Sequence, residues 1–148
     1  MKITTNLNQP KQFNVEELLQ FIANILNIKD DVKLTVAYND SLLNRLSGDI
    51  QYSALLCNPL PKTYYLHIKT SANLKSVLCH EMIHLQQYER GDLSMNSDYT
   101  QITWKGKLYD SKCDYNKRPW EIEAFSKQNE LWKLFKNHKK NKNEKSKN

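Results

Sequence analysis

Paired cysteines are missing from this chain. Cys57, Cys79 and Cys113 are odd in number and scattered, with no CxxC among them, which argues against a disulfide framework and for reduced thiols. Long apolar runs are missing too. No stretch approaches the roughly 18 consecutive apolar residues that span a bilayer, so no membrane contact is expected. The opening MKITTNLNQPKQ lacks the apolar segment of a signal peptide, and the expected location is cytoplasmic. No internal repeat is visible. The 148 residues suit one compact domain with a core of its own, expected to be a monomer.

The net charge of +6 is also absent from most of the sequence. Seven Lys and a single acid, Glu144, fall from Lys133 onward, leaving 15 basic and 15 acidic residues in 1 to 132. The charge therefore belongs to the tail. NHKKNKNEKSKN has no apolar periodicity with which to offset its ordering entropy, so residues 136–148 are expected to be a disordered Lys- and Asn-rich tail behind a domain spanning 1–135. Such a tail solubilises, and it offers nucleic acid a weak electrostatic contact.

Periodicity supplies the frame. Val15, Leu18, Leu19, Ile22, Ile25 and Leu26 follow Asn14 at helical spacing and predict a helix over 14–28. KLTVAYN (33–39) and TYYLHIK (63–69) read as strands, and QYSALLC (51–57) as a third, closed by the turn region of Pro59 and Pro61. Asn73 opens a second helix, which Gly91 stops. QITWKGKLYD (101–110) predicts a ribbon turning at Lys105 and Gly106. Pro119 opens a last helix through about Phe135. The order helix, strands, helix, ribbon, helix gives an α+β domain with a small mixed sheet.

The second helix carries HEMIH, residues 80 to 84. Positions four apart on a helix differ by about 40° around the axis, so His80 and His84 can face one metal ion. Glu81 sits about 100° further round, placed to reach a water rather than the metal. That is the division of labour of hydrolytic zinc: the metal acidifies water, and the carboxylate takes its proton and later gives it to the leaving amine. Leu78, Met82 and Leu85 occupy the opposite side and anchor the helix. Cys79 points away and reads as a small buried thiol. By chance, HExxH arises in about half a percent of shuffles of this composition, so its helical placement matters more than its occurrence.

A catalytic zinc ordinarily takes three protein ligands and a water. After His84 the chain runs LQQYERGD with no further histidine; His67 and His138 lie elsewhere. Carboxylates remain, and KRPWEIEAFSKQNELW (117–132) holds two, Glu121 and Glu123, in the first turn of the last helix. Acidic residues there also suit the helix dipole, and the spacing leaves the choice between them open.

HEMIH followed by RPWEIEAF resembles the gluzincin branch of the zincin metallopeptidases, in particular small phage-encoded metallopeptidases, over roughly residues 63 to 135. The resemblance implies a zincin-like fold, with an HExxH helix under a small sheet, a β-ribbon and a C-terminal ligand-bearing helix. It also implies a zinc-dependent metallopeptidase (a hydrolase) acting on peptide or protein substrates inside a bacterium or bacterial host cell. Zn2+ would be held by His80, His84 and Glu121, whose ExxA spacing to Ala124 matches the family, with Glu123 as fallback and Glu81 as the catalytic base. Phe125 stands where many relatives have an Asp supporting a histidine ligand. The family's edge strand captures extended peptide, a place TYYLHIK is expected to fill. Tyr109, Tyr115 and Arg118 lie in the segment that stabilises the oxyanion. Two alternatives are a SprT-like DNA-associated protease, although the third histidine of that family is missing, and a non-catalytic protein-binding module retaining the fold.

Overall fold

The structure is a computed structural model that describes residues 1–8, 10–46, 52–96 and 100–146. It is α+β, built on a four-stranded sheet in the order β1-β2-β4-β3. Here β1 is Lys2–Thr5, β2 Lys33–Tyr38, β3 Ala54–Leu60 and β4 Thr63–Ile68. β1, β2 and β4 run parallel, and β3 is antiparallel to β4.

Helix α1 (Val15–Ile25) starts where expected, because the Asn14 side chain accepts the Glu17 amide at 3.0 Å and satisfies a donor that the first turn leaves free. Val15, Leu18, Leu19 and Ile22 of its apolar stripe are fully buried in one core with Leu34, Val36, Tyr64, Leu66 and Ile68 of the sheet, whereas Ile25 at the end of the helix is exposed. Helix α3 (Leu74–Glu89) joins the same core through Leu78, Met82 and Leu85. It ends as Gly91 predicted: at φ +77° the glycine lets its amide reach the Tyr88 carbonyl and the Asp92 amide reach Gln87, the paired closure of a Schellman motif. Between β2 and β3, α2 (Asp40–Leu46) is tied to the loop after β4 by Asp40, which accepts from the Thr70 amide and hydroxyl, both at 2.9 Å. Neither α2 nor β1 carries a periodicity long enough to read from the sequence.

Beyond α3, β5 (Leu93–Met95), β6 (Gln101–Trp104) and β7 (Lys107–Asp110) form an antiparallel ribbon. Lys105 and Gly106, both at positive φ, make its turn as expected. Leu93, Ile102, Trp104 and Trp120 bury one another in a small second core beneath it. Helix α4 (Pro119–Ser146) then runs antiparallel along α3, with Trp120 near Gln87 at one end and Lys75 over the Trp132 ring at the other.

Three expectations are corrected. β4 is not an edge: it lies between β2 and β3, and β3 closes the sheet among the described residues. Residues 136–146, expected to be disordered, continue α4. No Pro or Gly interrupts them, and they lean on α1, where Lys139 meets Glu17 at 2.8 Å and the His138 ring lies 4.9 Å from Phe21. The third strand was expected to stop before Pro59, yet β3 continues to Leu60 with a register shift between Cys57 and Leu60, which is how an edge strand accommodates proline.

Candidate metal centre

His80 and His84 are buried on the face of α3 turned toward α4. Their Nε2 atoms lie 3.1 Å apart. Into the gap between them α4 brings the buried carboxylate of Glu121, with Oε1 2.7 Å from His84 Nε2 and Oε2 3.1 Å from His80 Nε2. Two residues on, Glu123 also reaches α3 but at its last turn, accepting from Arg90 at 2.8 Å and from Gln87 at 3.1 Å. The two glutamates, about 200° apart on their helix, thus both reach α3, at different turns of it. Ile122 and Phe125 are more than half exposed. The Phe125 ring nevertheless covers His80, with ring centroids 4.5 Å apart.

The hydrogen bonds behind the histidines fix their tautomers. Gln87 is fully buried, and its amide nitrogen donates to the Trp120 carbonyl at 3.0 Å and to Glu123. Its oxygen is therefore the atom 2.8 Å from His84 Nδ1, where it accepts the Nδ1 proton and leaves a lone pair on Nε2. Gln128 places its oxygen 2.8 Å from His80 Nδ1, which suits the same tautomer of His80. Two lone pairs and a carboxylate now converge within 2.7 to 3.1 Å, an all-acceptor cluster that only a cation relieves. The residues fit a metal: tetrahedral zinc with bonds near 2.0 to 2.1 Å sets its ligands about 3.3 Å apart, a few tenths of an ångström wider.

Without a metal that cation is a proton. Burial alone would push the His84 imidazole down, but the carboxylates of Glu121 and Glu81 lift it to about 9. Burial would likewise raise Glu121, yet its contacts with both imidazoles and with Tyr115 hold it far below the usual carboxylate range.

Glu81 also stands close, sharing with the two histidines a set of ligand atoms within 4.8 Å of one another. It is Glu121, however, that touches both imidazoles. Burial raises the Glu81 carboxyl, the two histidines pull it back and Glu121 pushes it up further. The balance favours a proton acceptor more basic than a surface glutamate. Tyr115 donates to Glu121 Oε2 at 2.5 Å, and its hydroxyl is pushed up by burial and by that carboxylate. Of the other two candidates named with it, Arg118 spends its guanidinium on the Ser111 and Cys113 carbonyls, and Tyr109 packs on Trp120 at 5.3 Å.

Glu81 faces a cleft. A cavity of about 340 Å³ on one side, walled by Val77, His80, Phe125 and Gln128, meets a smaller one of about 150 Å³ on the other, walled by His84, Leu93, Ile102 and Trp120. Tyr52, Ala54, Glu81 and Tyr115 line both, so the cleft runs past Glu81 with β3 along one side.

Sequence reading named His80, Glu81, His84, Glu121, Glu123 and Tyr115, and all lie within this region; it did not name Gln87 or Gln128. The signal existed: Gln87 is three residues after His84, and Gln128 is two turns beyond Glu121 on the same stripe of α4. His67, paired with Asn39, and His138, packed on Phe21, are not brought to the site. No helix of the described residues is long and apolar enough to cross a membrane. Compared with family models, with curated proteins and with solved structures, the chain matches none.

Proposed function

We propose that this protein is a zinc-dependent metallopeptidase of zincin type, with His80, His84 and Glu121 holding the metal and Glu81 as general base and acid. The observation that carries the reading is the all-acceptor triangle of two imidazoles and a carboxylate from two helices, with a further, desolvated carboxylate beside it in a cleft. Bound there, zinc would polarise a scissile carbonyl and acidify water. Glu81 takes the proton of the attacking water and passes it to the leaving amine, tasks that its raised pKa suits. Tyr115, protonated and lining both halves of the cleft, would serve a developing oxyanion by turning its hydroxyl away from Glu121. Strand β3, rather than β4, offers a backbone edge on which an extended peptide would pair.

Purified protein is expected to hold close to one zinc per chain and to cleave members of a broad peptide library. Glu81→Gln should retain zinc and fold while losing activity by several orders of magnitude, because both proton transfers pass through that carboxylate. Metal-free protein whose melting ignores added zinc would refute the reading. Zinc-loaded protein that cuts nothing would instead identify a peptide-binding module.

A further inference from the structure

The two glutamines behind the histidines are chemically unusual partners, because both are neutral. We propose that Gln87 and Gln128 are the positioning residues of the metal centre, each orienting one histidine by accepting its Nδ1 proton, and that Glu123 acts at one remove by polarising the Gln87 amide. This rests on the metal reading above. A histidine ligand needs an acceptor at its far nitrogen to fix the tautomer and the plane of the ring. Phe125, whose ring packs on His80, accepts nothing.

The role falls to residues of two helices. Gln87 comes from α3 itself, three residues past His84, and every polar atom of its side chain is engaged: oxygen to His84 Nδ1, nitrogen to the Trp120 carbonyl and to Glu123 Oε1. Glu123 is held in turn by Arg90, which also pairs with Asp92 at 3.0 Å just past the end of α3. The carboxylate thus reaches His84 only through an amide, by the mutual polarisation of linked hydrogen bonds. His80 has Gln128 alone. A neutral acceptor fixes the same tautomer as a carboxylate would, through a weaker hydrogen bond that donates less electron density to the ring. The histidines are therefore weaker ligands than they would be with carboxylate partners, and the metal a stronger Lewis acid.

The test uses the full-length protein with Zn2+ and Co2+ as probes. Gln87→Met and Gln128→Met preserve side-chain length and remove the acceptor. Each is expected to weaken zinc binding about 10- to 100-fold in competition with a chelator and to shift the visible bands of the cobalt form. Gln128→Glu restores an acceptor and is expected to bind zinc at least as tightly as the wild type, which a packing role for the side chain would not produce. Gln128 is only half-buried, so its variants decide the matter even if Gln87→Met fails to fold. Wild-type affinity in Gln128→Met, or equal weakness in Gln128→Met and Gln128→Glu, would overturn the inference while leaving the metal reading intact. Wild-type protein that holds no zinc would overturn both.

Discussion

At the scale of single residues, two glutamates two positions apart have different surroundings, and those surroundings assign different work. Glu121 is buried and meets two imidazoles and a tyrosine hydroxyl. Glu123 is half-exposed and neutralised by Arg90 and Lys127. Glu121→Gln is therefore expected to weaken zinc binding by two or more orders of magnitude, and Glu123→Gln only several-fold, through Gln87. Chelator competition on both variants checks this, and the reverse order would mean that α4 presents the other carboxylate. Chemistry at the thiols follows surroundings in the same way. Cys79 is fully buried and burial pushes its thiol up to about 12, whereas Cys113 is only half-buried. Since the thiolate is the reacting species, native protein at pH 8 should be alkylated at Cys113 and spared at Cys79 until denaturant is added, as peptide mapping would reveal.

At the scale of elements, the centre depends on how closely α4 approaches α3. Ala124, with no exposed surface, lies three residues after Glu121 in the shared core. A larger side chain there would have to push the helices apart or distort its neighbours. Ala124→Leu is expected to destabilise the fold by about 1 to 3 kcal/mol and to weaken zinc binding as well, because Glu121 would be carried away from His80 and His84. Thermal unfolding with and without zinc separates the two effects: if α4 were merely a scaffold at this point, stability would fall and zinc affinity would not.

At the scale of the whole molecule, charge is concentrated at one end. The Lys-rich residues 133–145 lie on the distal part of α4, where Lys139 and His138 contact α1. Exposed ion pairs such as Lys139 with Glu17 contribute about 0 to 1 kcal/mol. Truncation after Lys140 keeps these contacts, so it should change the melting temperature little and leave zinc binding and peptide cleavage as they are. It should also diminish a weak, salt-sensitive retention on DNA. Tight DNA binding at physiological salt that disappeared on truncation would instead favour a protease working on nucleic acid.

Taken by itself, the sequence determined the elements with long periodic patterns and the residues that share a helix face. The caps of α1 and α3, the turn at Lys105 and Gly106 and the stacking of His80 over His84 all follow from local geometry, which a chain carries wherever it folds. Strand order was not legible, because the pattern of TYYLHIK is satisfied equally at an edge or, as here, between two neighbours. Nor was the end of α4: residues 136–146 have no apolar stripe, and it is contact with α1 that accompanies their helix. At the site, spacing brought Glu121 and Glu123 forward together. Only the antiparallel packing of α4 on α3 decided that one meets the histidines and the other the glutamine behind them, since that depends on how two helices cross, which no spacing within either of them encodes.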